Sequence, residues 1–155
     1  MKILFVCLGN ICRSPLAEGI FKHLSKNEQI EADSCGTGNW HAGNLPDRRM
    51  SETAKKHNIK LESRARQVKS SDFYKFDLII AMDRENKNHL MNLATSDKYK
   101  QKIKLMRDFE NIYSNSNSNL DVPDPYYGGP DGFEHVFTLV YKCIKNLISY
   151  LEEKN

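Results

Sequence analysis

The chain has 155 residues, 39% hydrophobic and 28% charged, and its 23 basic against 20 acidic side chains leave a formal charge of only +3. That length suits one domain with a single core, the hydrophobic share excludes an intrinsically disordered chain, and so mild a charge does not by itself point to nucleic acid. The apolar start MKILFVCLG is short, and Asn10 and Arg13 interrupt it where a signal-peptide cleavage region would lie, so neither membrane insertion nor export is expected. Cys7, Cys12, Cys35 and Cys143 lack Cys-x-x-Cys spacing, which favours reduced thiols and a cytoplasmic location.

Residues 3–7 form an almost continuous apolar run, the pattern of a strand covered on both faces. Ser14 and Pro15 then suit a helix start, with Glu18 in its first turns and an apolar stripe of Leu16, Ala17, Ile20, Phe21 and Leu24 running to about residue 27. A second strand is expected over 31–34, followed by CGTGNWHAGNLPD, whose Gly, Asn and Pro content argues against regular structure. Asp47 begins a polar helix reaching about His57. DLIIAMD at 77–83 supplies a third buried strand ending in an acidic residue, and helical sequence follows through Leu93. The basic run KYKQKIK at 98–104 lacks a context that would stack bases and reads as solvated surface, so no nucleic-acid partner is expected. Residues 103–106 are a weaker fourth strand. After a turn-rich connection, Phe133, Val136, Phe137, Val140, Ile144, Leu147, Ile148 and Leu151 mark a long amphipathic helix. Strands alternating with helices predict a single α/β domain over residues 1–155. Its core is an open four-stranded parallel sheet with helices on both faces, right-handed crossovers and a candidate ligand-binding loop after the first strand.

CLGNICRS is the candidate site. A loop that leaves the carboxyl end of a parallel strand and enters a helix aims its backbone N–H groups, here those of Leu8, Gly9, Asn10, Ile11 and Cys12, into one concavity at the positive end of the helix dipole. Such a cradle fits a tetrahedral oxyanion, with the Cys7 sulfur beneath phosphorus and the Arg13 fork on two oxygens. Gly9 and Asn10 are residue types that tolerate the positive φ of so tight a loop. The same donors and the Ser14 hydroxyl stabilise Cys7 as a thiolate nucleophile. Cys-x5-Arg alone is a weak pattern, since a free cysteine at a strand end is often only a small buried hydrophobe. The preceding strand, the internal Gly and Asn, and the helix opened by Arg-Ser-Pro strengthen it.

Expelling an alkoxide or phenolate from phosphorus needs a proton donor on the leaving side. Asp124, held between Pro123 and Pro125, supplies a carboxyl group, and Tyr126 and Tyr127 supply aromatic walls for a flat leaving group. The five histidines show no metal-ligand spacing among themselves or with the cysteines, so no metal or other cofactor is expected.

With these residues in view, CLGNICRSPLAE resembles the active-site loop of the low-molecular-weight protein tyrosine phosphatases, and VPDPYYG at 122–128 resembles that family's second motif. RARQV at 64–68 and IIAMD at 79–83 match as well, and Trp40 falls where such enzymes line the pocket with an aromatic; the resemblance covers essentially the whole chain. It implies hydrolysis of phosphotyrosine through a cysteinyl-phosphate intermediate, with phosphotyrosine proteins as partners, inorganic phosphate as product and a monomeric enzyme. It further implies that Cys12, brought near Cys7 by the loop's curvature, forms a reversible disulfide protecting the nucleophile, and that Ser34 braces the Asn10 side chain. Ser63 stands where some members place a histidine in that brace. Phosphoarginine phosphatases of the same fold resemble the loop but place Thr at the position of Ile11 and lack the paired tyrosines. Arsenate reductases of similar fold use further cysteines on a central segment, and here none lies between Asn39 and Lys142. A phosphotyrosine-binding or redox-sensing module without turnover is a third alternative, for which the leaving-group acid Asp124 would have no use.

Overall fold

The apolar run at the chain start forms β1 (Lys2–Cys7), buried from Ile3 onward. Burial on both faces follows from its central place in a four-stranded parallel sheet of order β2-β1-β3-β4, in which β2 is Glu31–Gly36, β3 is Leu78–Ala81 and β4 is Ile103–Leu105. The helices are α1 (Arg13–Leu24), α2 (Arg48–Lys56), α3 (Asp72–Lys75), α4 (Arg84–Leu93), α5 (Asp97–Lys100) and α6 (Gly132–Glu153). This computed structural model describes residues 1–111, 119–127, 129 and 131–154, apart from the Tyr127 side chain.

The period-2 alternation of β1 divides the core into two layers. Ile3, Phe5 and Cys7 pack with Leu16, Ile20 and Phe21 of α1 and with Val136, Val140 and Ile144 of α6. Leu4 and Val6 point the other way, toward Phe73, Phe76 and Leu90. Helices therefore cover both faces of the sheet. Because β2 and β3 lie on opposite sides of β1, the connections diverge at the carboxyl end of β1, the position where open α/β sheets form a binding crevice. Among the described residues no helix is long and apolar enough to cross a membrane.

Several boundaries differ from those read in the sequence. α1 stops at Leu24, where Ser25 turns to extended backbone. β2 continues through Cys35 and Gly36, because its pairing with β1 runs in register to Cys7 opposite Gly36, which also bridges to Gln67. β4 ends at Leu105, and Met106 opens a 3₁₀ turn. α3 and α5 are single turns, too short to show a periodic stripe. The basic run 98–104 is not wholly solvated surface: Lys102 Nζ donates to the carbonyls of Phe73 (2.7 Å) and Phe76 (2.9 Å), closing the end of α3.

Gly36 marks the closest approach of sheet and loop. A Cβ there would lie 2.7 Å from the Leu8 carbonyl oxygen and 3.2 Å from the Asn10 amide nitrogen, so β2 can reach this depth only as glycine. Gly36→Ala is expected to lower the unfolding free energy by roughly 1–3 kcal/mol, the scale of an overpacked core site. Urea denaturation measures this, and an unchanged midpoint would mean that the loop yields without cost.

Candidate active site

Asn10 lies in the left-handed region, with φ of 57°. Its side chain is held at both ends. Nδ2 donates to Ser14 Oγ (2.8 Å) and Ser34 Oγ (3.0 Å), and Oδ1 accepts from the Arg66 amide (3.1 Å). Ser34 thus contacts the Asn10 side chain directly, whereas Ser63 contributes no hydrogen bond to it among the described residues. Arg66 is itself anchored, its guanidinium bridging Asp33 (3.2 Å) and Asp72 (3.0 Å).

The loop turns its carbonyls outward. Those of Cys7 and Leu8 accept from the amides of Thr37 (2.9 Å) and Gly38 (3.0 Å), and that of Ile11 accepts from the amide of Asp47 (2.7 Å). The Asn10 amide donates to Cys7 Sγ at 3.3 Å, while the amides of Gly9, Ile11 and Cys12 find no protein acceptor among the described residues. Cys12 is the N-cap of α1 and makes no side-chain capping bond, so the first N–H groups of the helix stay open as well.

Cys7 is buried, its sulfur 2.9 Å from Ser14 Oγ. Arg13 is buried too, with Nη1 donating to Asp83 Oδ2 (2.7 Å) and to the Val122 carbonyl (2.9 Å). Both bonds use one nitrogen and leave the Nε–Nη2 edge of the fork for another partner. Burial works against the Arg13 charge, but the Cys7 sulfur, the Asp83 carboxylate and Asp124 outweigh it and raise the guanidinium pKa further. Asp83 had no assigned role in the sequence beyond ending the third strand. Its signal was an acid directly after a buried strand, and it also caps α4 by accepting from the Asn86 amide (2.7 Å).

These groups open into a cavity of about 220 Å³. Cys7, Leu8, Gly9, Ile11, Cys12 and Arg13 line it, together with Trp40, His41, Asp124 and Tyr126. Asn10, Ser14 and Ser34 lie behind the loop, and the Tyr127 side chain falls outside the described residues. Trp40 is 68% exposed and folded over Gly38, where any Cβ would overlap its ring. His41, set aside in the sequence for want of ligand spacing, packs against Gly9 at the cavity. Asp124 accepts the Tyr126 amide on Oδ1 (3.0 Å), and its Oδ2 has no protein partner among the described residues. Burial, with Asp47, Cys7 and Asp124 adding to it, pushes the Cys12 thiol well up and keeps it protonated. No group of three or more His, Cys, Asp or Glu side chains that could hold a metal ion occurs among the described residues.

Asp47 links three elements at the rim. It caps α2, accepting from the amides of Arg49 (2.8 Å) and Met50 (3.3 Å); its own amide holds the Ile11 carbonyl; and Oδ2 accepts from the Tyr126 hydroxyl (2.9 Å). The Arg49 guanidinium lies 4.6 Å from the Tyr126 ring centre and 4.7 Å from that of Phe133. Burial pushes the Asp47 carboxyl up, but the hydrogen bonds from Arg49, Tyr126 and the two amides outweigh it and hold it below the usual carboxylate range. Burial and then Asp47 push the Tyr126 phenol up to about 12.

A thiol ringed by open amides and an arginine edge, sharing its cavity with a carboxylic acid, defines the class of cysteine-dependent phosphatases. The family model described as low molecular weight phosphotyrosine protein phosphatase matches residues 2–155, and the chain belongs to that family. A low molecular weight phosphotyrosine protein phosphatase of Schizosaccharomyces pombe is 44% identical over 153 residues, covering 96% of this chain and 95% of its own. Among solved structures, a protein tyrosine phosphatase of Entamoeba histolytica superposes with a TM-score of 0.90 at 44% identity, covering 99% and 98% of the two chains. A Drosophila arginine phosphatase reaches 0.88 at 31% identity, covering 97% and 98%.

The rim link carries a pH signature. Because the Asp47 carboxyl titrates lower in the folded than in the unfolded chain, its stabilisation is complete above the unfolded carboxylate pKa and is lost as pH falls through the folded value. Asp47→Ala, which also removes the α2 cap, should cost about 1–2 kcal/mol at neutral pH. In urea titrations the gap to the parent should narrow as the medium is acidified through that window. A gap that stays constant would show that the charge contributes nothing.

Proposed function

We propose that the protein hydrolyses phosphotyrosine monoesters of proteins, and that the observation carrying this reading is the sharing of one small cavity by Cys7, the Arg13 edge and Asp124. The phosphate dianion occupies the cradle, its oxygens on the loop amides and on Nε and Nη2 of Arg13. Cys7 Sγ attacks phosphorus in line as the bond to the tyrosyl oxygen breaks, and Asp124 Oδ2 gives that oxygen its proton. The products of this step are cysteinyl phosphate and the dephosphorylated tyrosine side chain of the substrate protein. Water then attacks phosphorus, Asp124 takes its proton, the S–P bond breaks, and inorganic phosphate leaves with the thiolate restored. Ser14 Oγ supports that thiolate in both steps. Phosphoryl transfer of this kind depends on positioning and charge stabilisation more than on covalent chemistry by the protein.

The fold alone does not select the substrate, since an arginine phosphatase shares it. The aromatic faces of Trp40 and Tyr126 and the bulk of Ile11 at the cavity support a flat aryl leaving group. The four cysteines are free thiols, in keeping with a reducing compartment such as the cytoplasm. Cys12 in the same cavity supports a protective disulfide: peroxide oxidises Cys7 to a sulfenic acid, the Cys12 sulfur displaces its hydroxyl as water, and a thiol reverses the bond.

Hydrolysis of matched phosphotyrosine, phosphoserine and phosphoarginine peptides tests the assignment, with phosphotyrosine expected to turn over fastest; preference for phosphoarginine would overturn it. Cys7→Ser should bind phosphate esters yet lose turnover by several orders of magnitude. Asp124→Asn should lose roughly 100-fold or more on phosphotyrosine, the usual range of general acid catalysis, and much less on an aryl phosphate whose phenol is strongly acidic. Equal losses on both substrates would remove Asp124 from the acid role.

A further inference from the structure

Glu18 lies one and a half turns into α1, is only 6% exposed, and takes no part in the reaction as derived above. Its Oε2 accepts from Lys22 Nζ at 2.6 Å, which balances its charge, and its Oε1 lies 2.6 Å from Ser34 Oγ. We propose that Glu18 is a positioning residue for the nucleophile, anchoring through Ser34 the far end of a buried hydrogen-bond chain that ends on Cys7. This rests on Cys7 being the nucleophile.

The direction follows from the donor inventory of each group. Ser34 has one hydroxyl proton and faces a carboxylate oxygen, so it donates to Glu18 and must accept from Asn10 Nδ2 at 3.0 Å. Asn10 cannot reverse its amide, because Oδ1 is held by the Arg66 N–H. The second Nδ2 proton therefore goes to Ser14 Oγ at 2.8 Å, and Ser14 must offer its own proton elsewhere. The acceptors within reach are Cys7 Sγ at 2.9 Å and the Cys35 carbonyl at 3.4 Å, and the shorter contact takes it. Glu18 fixes the sense of the Ser34 link, and the Arg66 amide fixes that of the links from Asn10 onward.

Without that acceptor the Ser34 hydroxyl, 1% exposed, has no partner for its proton in the direction of α1. Asn10 Nδ2 is a donor and cannot take that proton, so the hydroxyl is left unpaired and its bond to the amide donor that holds the loop loses its fixed orientation. The disturbance passes along Asn10 and Ser14 to the sulfur. The bonds of Asn10 to Ser14 and to the Arg66 amide remain and keep the loop turn, and Arg13, whose partners are Asp83 and Val122, is off the chain. The effect therefore belongs in kcat and thiol reactivity rather than in phosphate binding.

The test combines steady-state kinetics on phosphotyrosine with the rate of Cys7 alkylation by iodoacetamide at fixed neutral pH. In the parent, loss of activity in step with alkylation of Cys7 checks the nucleophile assignment independently of any Glu18 variant. Glu18→Ala should lower kcat roughly ten-fold, the rate equivalent of one hydrogen bond to a charged group, with KM nearly unchanged and alkylation slowed in parallel. Ser34→Ala should show the same loss, and the double variant no more than either single one. Additive losses, or an unaltered alkylation rate in Glu18→Ala, would overturn the proposal. If the alanine variant fails to fold, Glu18→Gln keeps the volume: Lys22 claims the amide oxygen, the amide nitrogen turns to Ser34, and the same loss is expected. Adding Lys22→Met releases that oxygen to Ser34 and should restore most of kcat, whereas no recovery would refute the relay.

Discussion

The left-handed turn at Asn10 is the constraint on which the site depends. A positive φ at a residue other than glycine is unfavourable by about 1–2 kcal/mol, so it persists only where surrounding contacts outweigh it. Here they come from three directions: Ser14 on α1, Ser34 on β2, and the Arg66 amide on the segment that returns to Gly36. With that turn in place, the carbonyls of Leu8 and Ile11 meet donors on the outside of the loop and the neighbouring amides are left for an anion. A different residue at position 10 would have to supply both the backbone conformation and the three-way side-chain bond.

Electrostatics at the site follow from the sheet order. β1 ends in the nucleophile loop and β3, beside it, ends one residue short of Met82 and two short of Asp83. Arg13 is thus pinned between an acid that follows β3 and the carbonyl of Val122, whose amide in turn donates to the Met82 carbonyl (2.8 Å). The same tie brings the 122–126 segment, with Asp124, over the loop. One arginine nitrogen serves structure, and the rest of the fork serves chemistry. An arginine with its orientation already fixed has little freedom left to lose when an anion arrives, which is the advantage of preorganisation.

The rim works differently. Trp40 and Tyr126 present broad apolar faces to solvent, and what orders Tyr126 is a polar bond to Asp47 together with the Arg49 guanidinium lying against its ring. Such a wall is held by charge and hydrogen bonding rather than by burial, and the lowered Asp47 carboxyl makes it sensitive to pH. Asp47 joins the two regions, since its amide also fixes the Ile11 carbonyl.

Residues that act through local chemistry were legible in the amino-acid order. CLGNICRS carries its nucleophile, its turn-forming Asn10 and its arginine within eight positions, and the apolar runs at 3–7 and 78–81 declare buried parallel strands because both of their faces must be covered. Residues that act through long-range contact were not. Asp83 lies 70 positions from Arg13, Asp47 lies 79 from Tyr126, and Glu18 meets Ser34 only because α1 packs on β2. The extension of β2 to Gly36 and the single-turn helices α3 and α5 were hidden for the same reason, since pairing register and one-turn segments leave no periodic trace. The sequence by itself determined which atoms react and on which kind of scaffold, because strand periodicity and the spacing of Cys7 and Arg13 are local properties. Only the tertiary structure decided which acids steady them and which way the buried protons point, because hydrogen-bond direction depends on partners that the chain brings together by folding.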